Sequence, residues 1–155
     1  MNSQINLKLA DLTKEGPKGV TISPDLDYVT FHCIKHVTVQ PSEIQRVELG
    51  IACEVPFGYV LQINTYPKLA EQAAELFPAL IVLDSTYTDE LFLAVRNQGR
   101  NPLNLMPGTA VAIGRIVKIE TLNIEGFDYE TLKPKPLQSK PQKKNPFSFE
   151  VRSNA

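Results

Sequence analysis

"LIVLDSTYTDELFLAV", residues 80 to 95, sets an Asp-Ser-Thr-Tyr cluster between two apolar runs. Short runs rich in Val, Ile, Leu and Phe form strands, and Asp, Ser and Thr at their junction form turns. The stretch predicts two strands joined by a hairpin, with Asp84 and Tyr87 flanking its tip. A lone hairpin is marginal in water, so the fold depends on whether the rest of the chain supplies partner strands.

It does. Twelve Pro and eight Gly among 155 residues punctuate short apolar segments, a pattern of strands and turns rather than helices. Candidate strands are "INLKLADL", "DYVTFHCI", "HVTVQP", "QRVELGIACEV", "GYVLQIN", "ALIVLD", "ELFLAVRN", "LNLMPG" and "TAVAIGRIVKIE". Several alternate apolar and polar residues as half-buried strands do. The exception is "YPKLAEQAAELFP", where Leu69, Ala73 and Leu76 recur at helical spacing between Pro67 and Pro78, which predicts one short helix. From Lys133 the composition changes to "KPKPLQSKPQKKNPF", an extended Pro/Lys segment that cannot bury a core. The expected organisation is a β domain over 1–132 and a C-terminal arm over 133–155.

Charge and cysteine content narrow the function classes. With 16 Lys+Arg against 17 Asp+Glu there is no broad basic field, so neither a membrane surface nor sequence-specific nucleic acid is an expected partner. The opening "MNSQINLKLADLTKEG" lacks a basic start followed by an apolar run, and no stretch approaches the roughly 20 apolar residues of a membrane span. A soluble, cytoplasmic protein is expected. Cys33 and Cys53 are too few for a disulfide scaffold, and although Cys33 lies between His32 and His36, no zinc-type spacing accompanies it. Both cysteines read as buried small hydrophobes, and no protein-built metal site is expected.

Two segments, "VTVQPSEIQRVELGIACEVPFGYVLQI" (37 to 63) and "VLDSTYTDELFLAVRNQGRNPLNLMPGTAVAIGRIV" (82 to 117), resemble the trimeric dUTPase and dCTP deaminase superfamily. The resemblance rests on the order and spacing of Gly50-Ile51, Val55-Pro56-Phe57-Gly58-Tyr59, Leu83-Asp84-Ser85-Thr86-Tyr87 and Pro107-Gly108 to Ala112. It implies an all-β fold, a distorted β-barrel or jelly roll, assembled as a homotrimer whose C-terminal arm crosses to a neighbouring site. The apolar "AVAIGRIVKI" also reads as too apolar for an edge strand left in water.

The resemblance assigns roles residue by residue. At the position of Asp84 the family has the Asp that orients and deprotonates the water attacking the α-phosphorus of dUTP, and at that of Tyr87 the ring beneath the deoxyribose. A carboxylate near a water can act as general base, and an aromatic face can pack on a sugar. The plainer alternative is an Asp that caps a turn and a Tyr that covers the barrel rim. Neighbouring motifs depart from the family. Thr30 stands where an Asp is expected, Tyr66-Pro67-Lys68-Leu69 replaces "R-S-G-L", and Ile113 replaces an amide that contacts the nucleotide. Each lost charge-assisted bond is worth roughly 1.5–3 kcal/mol. Lys68 can meet a phosphate only as a point charge. The Glu of dCTP deaminases falls at Ala94, which argues against deamination. In the arm, Lys133, Lys135, Lys140, Lys143 and Lys144 would attract phosphates, and Phe147 or Phe149 could stack on a base.

The sequence thus suggests a homotrimer binding a nucleotide or related phosphorylated ligand at its subunit interfaces, with catalysis reduced or lost, suited to sequestration or sensing. The ligand-binding candidates are Tyr87, Lys68, Phe147 and Phe149, and Asp84 is catalytic only if the protein is active. One alternative is an active, divergent dUTP diphosphatase using Mg²⁺ carried by the substrate's phosphates. Another is a structural or interaction trimer, for example a viral or phage component.

Overall fold

A computed structural model describes residues 4–126. All nine expected strands form, together with two more: β1 (Lys8–Asp11), β2 (Val20–Ile22), β3 (Val29–His32), β4 (Val37–Val39), β5 (Ile44–Glu54), β6 (Tyr59–Thr65), β7 (Ala74–Leu76), β8 (Leu80–Leu83), β9 (Glu90–Asn97), β10 (Leu103–Leu105) and β11 (Ala110–Lys118). One helix, α1 (Pro67–Glu71), interrupts them. The fold is all-β as expected, with every strand pairing among the described residues antiparallel. The β unit runs to Glu120, and residues 121–126 carry no regular element. The expected boundary at 132/133, and the whole arm with Phe147 and Phe149, lie outside the described residues.

Three sheets share the strands, in the orders β1-β5-β9-β7, β10-β4 and β2-β3-β11-β6-β8. Alternation sends Val47, Leu49, Ile51, Leu93 and Val95 of the first sheet and Phe31, Leu61, Ile63 and Ala112 of the third into one core. Val39, Leu103 and Leu105 of the small sheet join them. Cys33 and Cys53 are free and buried in this core, where burial raises both thiols' pKa. They act as the small hydrophobes expected.

Three expectations change. The helix over 66–78 stops at Glu71, because Ala73 adopts a left-handed φ of 57° and the chain restarts as β7. Ala74 and Leu76, not Ala73, are the buried positions, a period of two within what read as a helical pattern. Second, β8 pairs with β6 while β9 pairs with β5 and β7, so the Asp84–Tyr87 turn is a corner between two sheets rather than a hairpin tip. Third, β11 lies between β3 and β6 and is no edge strand, so its apolar sequence does not by itself require a partner along that edge. Among the described residues no helix is long and apolar enough to cross a membrane.

Candidate functional site

The corner begins where β8 ends. Leu80 and Val82 face outward and Ile81 and Leu83 inward, and Asp84 continues the alternation onto the exposed face. A β-turn closes with Tyr87 N–H donating to the Asp84 carbonyl at 3.2 Å. The Asp84 carboxylate Oδ1 accepts the Thr86 N–H at 2.9 Å and also the Thr86 hydroxyl. The hydroxyl bond first, then the N–H bond, holds the Asp84 pKa below its ordinary value. Its other oxygen, Oδ2, has no protein partner among the described residues, and no Lys, Arg or His there pairs with it.

Tyr87 is half-buried against the core, and its hydroxyl donates to the Glu90 carbonyl at 2.7 Å. Burial, with Cys53, Asp89 and Glu90 adding to it, raises the phenol's pKa. The ring therefore covers the rim of the core, as the plainer reading of this turn has it, while Asp84 beside it is open to solvent.

A second group of candidates lies on the outer face of the five-stranded sheet. Register places Thr21 opposite Thr30, Thr30 opposite Ile113, Ile113 opposite Asn64, and Asn64 opposite Leu80. Residues paired in register point to the same face, so Thr30 and Ile113, far apart in sequence, are side by side. Lys68 joins this end of the sheet. Its helix follows β6 directly, and Tyr66 N–H donates to the Val111 carbonyl at 3.0 Å. Lys68 is exposed and pairs with no carboxylate among the described residues.

The two groups sit at opposite ends of β8. Leu80 marks the Thr30–Ile113–Asn64 row and Asp84 the corner, four residues or about 13 Å along the strand. One subunit thus pairs Thr30 with Ile113 at the end of the sheet from which the Lys68 helix leaves, and places Asp84 and Tyr87 at the other end of β8. Asn64 is a polar member of the row that sequence reading passed over. Its only sequence signal was the alternation of "GYVLQIN", which marks Gln62 and Asn64 as outward-facing. His32, Cys33 and His36 do not converge either: Cys33 points into the core and its thiol donates to the Met106 carbonyl at 2.9 Å. The His32 ring lies between the Thr21 hydroxyl at 2.8 Å and the Gly108 carbonyl at 3.1 Å. Among the described residues no three His, Cys, Asp or Glu side chains cluster to hold a metal ion.

No protein-family model matches the chain. Among curated proteins, a deoxyuridine 5'-triphosphate nucleotidohydrolase of Caldanaerobacter subterraneus subsp. tengcongensis is 30% identical over 93 residues, 57% of this chain and 63% of that protein. The enzyme of the same name from Desulfitobacterium hafniense is 29% identical over 107 residues, 68% of this chain and 66% of that protein. The chain thus spans just under two thirds of the length of these relatives. Among solved structures, native EIAV dUTPase superposes with a TM-score of 0.67 at 15% identity, covering 80% of this chain and 98% of that one. A dUTPase from phage phi11 of S. aureus, described with a structural Mg(II) ion, gives 0.69 at 13% identity over 79% of this chain and 97% of that one. In the order of its motifs and in its all-β architecture the chain is similar to these dUTPases.

Proposed function

We propose that the chain is a dUTPase-type hydrolase of low turnover, acting on a pyrimidine deoxynucleoside triphosphate at sites completed between subunits of a homotrimer. The carrying observation is the Asp84 carboxylate, exposed, ionised and with Oδ2 uncommitted. In this reading Oδ2 takes a proton from water, the water oxygen bonds to the α-phosphorus, and the bond to the bridging oxygen breaks, releasing pyrophosphate with its electron pair. The Tyr87 ring edge flanks the sugar. Mg²⁺ comes bound to the triphosphate, as part of the substrate, since the described donors form no cage of their own.

Low turnover follows from the other end of the sheet. Thr30 and Ile113 present a hydroxyl and an alkyl group side by side, and Lys68 offers a single charge, so developing negative charge meets few fixed donors. The separation of Asp84 from this row supports an inter-subunit site, because only a second copy can bring one subunit's row to another's corner. Pyrophosphate release from dUTP is the test. The expected result is turnover well below the roughly 10 s⁻¹ typical of enzymes, abolished by Asp84→Asn.

The Thr30–Ile113 pair also favours a second reading, in which the nucleotide is bound and held for sequestration or sensing. Tight binding of dUTP or its non-hydrolysable analogue with no pyrophosphate release would select it.

A further inference from the structure

The turn that carries Asp84 has a twin in the same molecule. In "DLT" (11 to 13), as in "DST" (84 to 86), an Asp is followed two residues later by a Thr. Asp11 Oδ1 accepts the Thr13 N–H at 2.9 Å and the Thr13 hydroxyl at 2.5 Å, the same two donors that Thr86 gives to Asp84. The twins differ at the second oxygen. Asp11 Oδ2 is taken by the Lys18 ammonium, which closes the arrangement, whereas no cation among the described residues reaches Asp84. One clasp ends in an ion pair within the fold, and the other presents a free oxygen to solvent.

We propose that Thr86 is a positioning residue for the Asp84 carboxylate: its two donors occupy Oδ1, fix the plane of the group and leave Oδ2 as the atom that receives a proton from water. The proposal rests on Asp84 acting as general base. A carboxylate free to rotate would share the proton between two equivalent oxygens and lose orientation toward the water, and small misplacements of a catalytic group are costly. The clasp also fixes the protonation state. Its bonds are the two largest causes that lower the Asp84 pKa, ahead of Asp84's own backbone, and no charged side chain is among the causes, while Asp89 and Glu90 act on Tyr87. The base stays ionised further into acid than a free Asp would.

Thr86→Val, Thr86→Ser and Asp84→Asn in the full chain decide the matter, with far-ultraviolet circular dichroism and sedimentation to establish that each variant folds and assembles. Two quantities are read: the carboxyl carbon-13 titration of Asp84 without ligand, and the pH profile of pyrophosphate release from dUTP. Thr86→Val is expected to raise the Asp84 titration toward its ordinary value, move the acid limb of the profile up with it, and lower turnover about tenfold. Thr86→Ser keeps both donors and is expected to restore all three. An Asp84 titration unmoved in Thr86→Val, or one that moves while turnover and acid limb stay put, overturns the role of Thr86. If Asp84→Asn inactivates and Thr86→Val does not, the inference alone falls. If wild-type protein releases no pyrophosphate, or Asp84→Asn leaves release unchanged, the hydrolase reading fails and takes the inference with it.

Discussion

Asp11 and Asp84 carry the same local hydrogen bonds and differ in what neutralises them, so a change of pH should separate them. The Lys18 and Thr13 bonds lower the Asp11 pKa from 3.8 to about 2. A carboxylate whose folded pKa is depressed contributes stability that is present above its unfolded value and is lost as pH falls through the folded one. Between 3.8 and about 2, wild-type protein should therefore lose thermal stability that an Asp11→Asn variant, already without the ion pair, does not lose. Melting temperatures of both proteins across that window are the check, and parallel curves would mean the clasp closes nothing. Tyr87 permits a separate test of ring against hydroxyl. Tyr87→Phe keeps the rim covered and removes only the bond to the Glu90 carbonyl, so ligand affinity should hold. Tyr87→Ala removes the ring and should weaken nucleotide binding by roughly 1–3 kcal/mol in calorimetric titration. Equal affinities for both variants would make the ring a rim cover alone.

At the scale of the element, β5 shows why "LGIA" reads as it does. Its pairing with β9 shifts register between Glu48 and Ala52, and Gly50 sits within that irregularity at a φ of 61°. A Cβ there would stand 2.4 Å from Thr13 Cγ2 and 2.8 Å from Ile34 Cδ1. Both the left-handed backbone and the close approach thus call for glycine. Gly50→Ala should destabilise the fold by about 1–3 kcal/mol, measured by urea denaturation with the slope unchanged. The bulge is what lets the 12–19 connection, with Thr13 at its start, lie against β5. The helix tells the complementary story. Pro67 starts it, Leu69 anchors it in the core, and the left-handed Ala73 ends it, so that β7 can add to the edge of β9.

For the whole molecule, the separation of the two candidate groups along β8 leads to a mixing experiment. If a site takes its Asp84 corner from one subunit and its Lys68 end from another, Asp84→Asn and Lys68→Glu proteins should each be nearly inactive alone. Refolded together in equal amounts, they should regain about a quarter of wild-type sites, the fraction in which both contributing halves are intact. Sedimentation should give three times the chain mass throughout. No recovery on mixing, with trimers present, would mean that one subunit supplies both halves and that the chain bends to bring them together.

Composition and period-two alternation were sufficient to read the all-β class and the nine longer or more regular strands, because a strand buried on one face must alternate and needs no knowledge of its partner. β2 and β7 were illegible: β2 lies in an exposed stretch and buries neither face, and β7 lay inside a pattern that also satisfied helical spacing. Asp84 and Tyr87 could be singled out from residue type and motif order, but their surroundings could not. That the turn is a corner between sheets, that Thr30 and Ile113 stand side by side across β3 and β11, and that Asp84 lies a strand's length from their row all depend on which strands pair and in which register. Register joins residues more than eighty positions apart, through backbone hydrogen bonds that carry no mark in the local sequence. The free oxygen of Asp84 was hidden for the same reason, since a twin turn with the same Asp and Thr is closed by a lysine, and only the tertiary structure decides where each lysine falls.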